Sequence, residues 1–223
     1  MGDTNVQKEL TLILASGSPR RRQLLALLDV PFVVRSPDIK ESNHEGEGPR
    51  VMARRLAHEK ARSVGADIQA GLVVAADTFV CLDGRVLGKP SDADDAARML
   101  GRLRGRPHLV LSGLTVIALR LSWGRTVLAE TTVWMRDYND EETAAYVASG
   151  DPLDKAGAYG IQHREFDPVS RIAGCYANVM GLPLCHLYCL LREAGVAPDE
   201  TPVAACDRFN RRVCGVASQI LGV

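Results

Sequence analysis

The chain has 223 residues, 46% hydrophobic and 24% charged, enough apolar material for a full core and far too much for a disordered chain. Its 27 Lys and Arg balance 27 Asp and Glu, which argues against a nucleic-acid coat, since that needs a basic surplus, and against an acidic solvating tail. No apolar run approaches the roughly 20 residues of a membrane helix, and residues 1–10 are polar and lack the apolar core of a secretory signal.

Leu12 to Ala15 is a short apolar run and reads as a buried strand that enters the loop Ser16-Gly17-Ser18-Pro19. Ser18 is a good N-cap and Pro19 suits the first helical position, with Leu24, Leu25, Leu27 and Leu28 as the buried face of the helix that follows. Pro31 to Pro37 reads as extended, and Glu41 to Pro49 as a polar loop rich in Glu and Gly. A second helix is predicted over Arg50 to Val64, with Met52, Leu56 and Val64 on one stripe.

Leu72 to Val80 is a strong strand signal, and Asp83-Gly84 turns it back into Arg85-Val86-Leu87. A third helix follows, capped by Ser91 and stopped by Gly105, with acids in its first turn and arginines near its end. His108 to Arg120 and Arg125 to Arg136 are two long strands, and Asn139 with Glu142 forms a capping box for a fourth helix ending at Gly150. Asp151 to Gly174 reads as polar loop, Pro183 to Ala194 as a last core helix, and Val203 to Leu221 as weakly amphipathic. Strands and helices alternate and then give way to two adjacent strands, which predicts an α/β protein with a mixed sheet. Six cysteines without a CxxC pair do not spell a disulfide framework, so a cytoplasmic setting is expected.

Five segments carry candidate chemistry. In Ser16-Gly17-Ser18-Pro19-Arg20-Arg21 the arginines oppose the helix dipole, and a bound anion would turn that opposition into cooperation. A capped helix with solvated arginines is the alternative, and it suits Arg21 and Arg22 better than Arg20. Lys60 falls inside the apolar stripe of the second helix, where it either snorkels to solvent or meets a negative partner. Asp77, followed by Thr78, interrupts a strand that is apolar on both faces; such a carboxylate needs a cation or a donor, and suits metal ligation or general base work. Lys89 stands between Gly88 and Pro90, and Gln162 ends the small-residue run Asp154 to Gln162, where it can offer both donors and an acceptor to a base edge. Cys185, His186 and Cys189 are read as core residues, since they lack the geometry and the second thiol pair of a zinc site.

Taken in order, Leu14 to Arg21, Arg55 to Ala61, Ala76-Asp77-Thr78, Gly88-Lys89-Pro90, Asp154 to Gln162 and Val179-Met180-Gly181-Leu182-Pro183 resemble the Maf family of nucleoside triphosphate pyrophosphatases. The likeness runs from about Leu12 to Gly195, leaving a tail (1–10), one domain (11–196) and a C-terminal extension (197–223) that matches no motif. The resemblance implies a fold like that of inosine triphosphate pyrophosphatases, with a mixed twisted sheet, flanking helices and two lobes around a nucleotide cleft. It implies hydrolysis of a nucleoside triphosphate to the monophosphate and pyrophosphate with Mg2+ or Mn2+. Asp77 matches the family's catalytic aspartate, as proton acceptor or metal ligand. Arg20, Thr78 and Gln162 match positions that mark the branch acting on dTTP and UTP; the branch preferring 7-methyl-GTP has Glu in place of this Gln. Ser16, Glu41, Lys60 and Lys89 match further cleft positions. The family pattern continues with Gly after the Gln, whereas here His163 and an unfamiliar stretch from Arg164 to Ser170 follow. Members of the family often pair, which makes a homodimer an expectation, and an association with septum formation leaves a nucleotide-binding regulator of division, without turnover, as the alternative function.

Overall fold

A computed structural model describes residues 11–42, 44–119, 122–198 and 200–222; the tail read from residues 1–10 lies outside them. The elements run β1 (Leu12–Ala15), α1 (Pro19–Ala26), β2 (Phe32–Arg35), α2 (Pro49–Gly65), β3 (Leu72–Leu82), β4 (Arg85–Leu87), α3 (Ala93–Leu103), β5 (Pro107–Ala118), β6 (Trp123–Met135), α4 (Asp140–Ala148), β7 (Val169–Ala173), α5 (Tyr176–Val179), α6 (Leu184–Glu193), α7 (Pro202–Asn210) and α8 (Ala217–Leu221). One mixed sheet in the order β2-β1-β3-β5-β6-β7, with β4 also on β3, carries the fold.

The sheet contains a notch that decides where chemistry can happen. On one edge of β3, β1 pairs in parallel with Leu72 to Val74, and β4 pairs antiparallel with Val80 to Leu82. Between them, Ala75 to Phe79 have no strand partner on that edge among the described residues, although β5 covers the opposite edge without a break. The β3–β4 turn has positive φ at both Asp83 (51°) and Gly84 (75°), the sign that two-residue hairpin turns of this hand require.

The pleat sends alternate residues of β3 to opposite faces. Val73, Ala75, Phe79 and Cys81 face α2, where they pack on Ala61 and Val64 at one end and on Met52, Ala53 and Leu56 at the other. Leu72, Val74 and Ala76 join the core beneath α1 and α6, while Val80 and Leu82 join a separate core with Leu100, Tyr138 and Tyr146. Both faces therefore carry two apolar clusters, and the break between clusters falls on the notch: Asp77 on one face, Thr78 on the other. These paired cores are the two lobes.

Helix α2 lies very close to the sheet because position 113, directly opposite Asp77 in the β3–β5 register, has no side chain. A Cβ there would collide with the backbone of Ala53 and Arg54. The close approach brings Lys60, two turns further along α2, down to the level of Asp77.

The structure revises four expectations. The side chain that caps α3 is Asp92, whose Oδ1 accepts from the Asp95 amide at 2.7 Å, while the Ser91 hydroxyl turns to the Asp92 and Asp95 carboxylates; the ionised acid one residue on is the stronger acceptor for an N-terminal amide. The segment read as polar loop contains two 3-10 turns, Asp151–Asp154 and Ala156–Ala158, and the edge strand β7, which pairs with β6 across a register shift at Trp134/Met135. Cys175 opens a short helix, α5, that was not foreseen. The C-terminal extension forms α7 and α8, and Cys206 of α7 is buried in the same core as Leu184 and Leu187 of α6.

Gly113→Ala is expected to cost about 1–3 kcal/mol by overpacking α2 against the sheet, read as a lower urea midpoint with an unchanged slope. An unchanged midpoint would show that α2 is not seated on Gly113.

Candidate functional site

The notch opens into a cleft of about 1280 Å³. Every candidate residue read from the sequence lines it: Ser16 and Arg20 from the β1–α1 loop and α1, Glu41 from the loop before α2, Lys60 from α2, Asp77 and Thr78 from β3, Lys89 from the loop after β4, and Gln162 from the far wall. Residues more than 140 positions apart converge because β1 stops short and leaves β3 open at this level.

Lys60 and Asp77 form the floor. The Lys60 ammonium donates to Asp77 Oδ1 at 2.6 Å and lies 2.7 Å from Glu41 Oε1. The Lys60 and Asp77 side chains are each only 8% exposed, whereas that of Glu41 is 52% exposed. Snorkelling to solvent is thus excluded for Lys60, and the cation that Asp77 needed is found. Asp77 Oδ2 is buried and has no hydrogen-bond partner among the described residues. Burial pushes the Asp77 carboxyl above its ordinary value; Lys60 and then Arg21 pull it back without restoring it, and Glu41 adds a small upward push. Burial wins because only one of the two oxygens is satisfied.

Arg55, five residues before Lys60 on the same helix, ties down the loop that carries Glu41. Its guanidinium grips both Glu47 oxygens at 2.7 and 2.6 Å and donates to the Ser42 carbonyl at 2.9 Å. That fork holds Glu47 well below the usual carboxylate range through its hydrogen bonds.

On the other face of β3, the structure corrects the reading of Arg21. Its guanidinium turns inward, donating to the Gly181 carbonyl at 2.8 Å, Thr78 Oγ1 at 3.2 Å and Ser16 Oγ at 3.4 Å. Thr78 Oγ1 in turn meets Ser112 Oγ at 2.8 Å, so a polar belt crosses the sheet between the two apolar cores. The signal was available: Arg21 precedes the buried Leu24 and Leu25 by one helical turn and shares their face. Arg22 is exposed, as expected, and Arg20 sits at the rim, 3.9 Å from Asp154.

The cations open to an incoming anion lie on the rim. Lys89 and Arg164 are exposed and make no ion pair among the described residues, and the loop carrying Lys89 is pinned by the hydrogen bond from the Gly157 amide to the Gly88 carbonyl at 2.9 Å. Asp151 and Asp154 also line the cleft and share Lys155, at 2.8 and 2.7 Å, with Arg20 the second cation near Asp154. Below Gln162, the Tyr159 hydroxyl meets His108 Nε2 at 2.8 Å. Burial pushes His108 down to about 4, so this pair carries no charge at neutral pH.

Among the described residues no three His, Cys, Asp or Glu side chains converge as a metal site. The orphaned Asp77 Oδ2, with Glu41 beside the same lysine, nevertheless suits a hard divalent cation of the kind that takes one or two carboxylates and completes its shell with phosphate oxygens and water.

The Maf-like protein family model matches residues 11–194. The chain is 50% identical over 195 residues to a protein named dTTP/UTP pyrophosphatase in Nitratidesulfovibrio vulgaris, covering 87% of this chain and 92% of that relative. It is 42% identical to the protein of that name in Carboxydothermus hydrogenoformans (83% and 100% covered) and 44% identical to the one in Dictyoglomus turgidum (82% and 96% covered).

Lys60→Met leaves Asp77 buried without its cation, and a loss of about 3 kcal/mol at pH 7 is expected, the low end for a broken buried pair because the cleft admits water. The folded-state value of Asp77 then rises further above its unfolded value, so the stability lost at neutral pH returns as pH falls towards the unfolded value. Denaturant midpoints between pH 7 and 5 test this; a deficit that does not shrink on acidification contradicts it.

Proposed function

Because the chain belongs to the Maf-like protein family, we infer that it is a nucleoside triphosphate pyrophosphatase that hydrolyses dTTP and UTP to the monophosphate and pyrophosphate, clearing such nucleotides from the pool. The observation that carries the reading is Asp77 Oδ2, a buried carboxylate oxygen without a partner among the described residues, on the floor of a cleft that has Arg20, Lys89 and Arg164 at its rim.

The residues divide the work by position. Arg20 and Lys89, both at the rim, take the triphosphate chain, and the Arg20 amide at the start of α1 adds to them. Water attacks the α-phosphorus, its proton goes to Asp77 Oδ2, and charge builds on the departing pyrophosphate, where fixed cations stabilise the transition state most. Lys60 holds the carboxylate through its other oxygen, which keeps Oδ2 aimed and ionised when the site is ready. A divalent cation, Mg2+ or Mn2+, would be held by Asp77 with Glu41 alongside, and when bound it supplies neutralisation of the phosphates and a more acidic water. Gln162 reads the pyrimidine edge, and Thr78, fixed by Arg21 and Ser112, shapes the pocket beneath. The reaction draws on the cytoplasmic nucleotide pool, and six unpaired cysteines support that location.

Asp77→Asn is expected to lower pyrophosphate release from dTTP and UTP by about 10²-fold or more while the protein stays folded; turnover near the wild-type rate in that variant would remove Asp77 from the reaction, and a wild type that binds these nucleotides without releasing pyrophosphate would leave a binding role alone. In the wild type, kcat/KM is expected to fall tenfold per pH unit on the acid side of a single midpoint, because protonated Asp77 cannot accept the proton. A profile without an acid limb contradicts the assignment.

A further inference from the structure

The wall that carries Gln162 is a loop, and it is held by a residue outside the cleft. Tyr146 of α4 is 3% exposed. Its hydroxyl accepts from the Gly160 amide at 2.9 Å and donates to Asp151 Oδ2 at 2.6 Å. Its ring stacks on Phe166 with centroids 4.2 Å apart and receives the edge of His163 at 4.6 Å. His163 is fixed in turn, because its Nδ1 accepts from the Phe166 amide at 3.1 Å. Arg136 closes the far end by donating to the carbonyls of Phe166 and Asp167.

Tyr146 therefore holds the chain at Gly160 and again at His163, the residues that bracket Ile161 and Gln162. We propose that Tyr146 and His163 are positioning residues for base selection: together they fix Gln162 before a nucleotide arrives, and His163, with Phe166 behind it, replaces the turn that a glycine would make after the Gln. The inference rests on the reading of Gln162 as the base contact. A side-chain amide discriminates only when both its donor and its acceptor are held in place, since a mobile one can turn to suit a wrong base edge. Neither Tyr146 nor His163 need touch the nucleotide.

The test compares kcat/KM for dTTP with that for dATP in Tyr146→Phe, His163→Ala, Gln162→Ala and the double variant Tyr146→Phe/Gln162→Ala, with amide hydrogen exchange at Gly160 to His163 read in the nucleotide-free proteins. Tyr146→Phe keeps the ring stack on Phe166 and removes only the hydroxyl, so it spares the fold; His163→Ala supplies a second variant that keeps both hydrogen bonds of the Tyr146 hydroxyl. Tyr146→Phe and His163→Ala are each expected to lower the dTTP-to-dATP ratio by about tenfold, through KM for dTTP more than kcat, and to speed exchange of the bracketed amides by at least tenfold. The double variant is expected to lose no more selectivity than Gln162→Ala alone, because both act through one contact. A fall in Gln162→Ala with wild-type selectivity in Tyr146→Phe and His163→Ala overturns the inference alone. Losses that multiply in the double variant also overturn it, and an unchanged ratio in Gln162→Ala removes the base reading and the inference together.

Discussion

The Lys60–Asp77 contact is the constraint around which the site is built. A carboxylate in the middle of an eleven-residue strand, otherwise buried along its length, costs several kcal/mol unless a cation reaches it. Helix α2 supplies that cation, and it comes within reach because Gly113 lets the helix backbone sit on the sheet. One glycine on β5, one lysine on α2 and one aspartate on β3 thus form a single device, and each is costly without the others. The contact satisfies one oxygen only. That leaves the second oxygen desolvated and raised in proton affinity, the state in which a carboxylate is most useful to a reacting water.

The same level of the sheet is polar on both faces. Asp77 and Lys60 separate two apolar clusters beneath α2, and Thr78, Ser112 and Arg21 separate the cluster beneath α1 and α6 from the one against α3 and α4. A sheet with one continuous core on each face would have no reason to open here. Two cores that meet along a polar belt can leave a cleft between them, and the early end of β1 turns that seam into an entrance. Architecture and chemistry therefore have one cause, a break in apolar patterning at residues 77 and 78.

Much of this was legible in the sequence because it is local. Asp77 stood out against its strand, Lys60 against its stripe, and the Asn139–Glu142 capping box and the Asp83-Gly84 turn form as read. What escaped depends on partners distant in the chain. Arg21 looked solvated because its acceptors, Gly181 and Thr78, are 160 and 57 residues away. Strand β7 was hidden because it is a short edge strand with exposed Ser170 and Arg171, which owes its conformation to β6. Tyr146 gave no functional signal, since its role depends on where the loop from Gly160 to Phe166 returns. The extension after 196 carries no motif, and its helices owe their place to burial against α6.

The most direct measurement of the central claim is the position of the α-phosphorus in a crystal of this protein with Mg2+ and an α,β-imido analogue of UTP. The account predicts the α-phosphorus facing Asp77 Oδ2 across one water or ion, with the β- and γ-phosphates against Arg20 and Lys89. A triphosphate bound with its α-phosphorus turned from Asp77, or lodged outside the notch between β1 and β4, would contradict it.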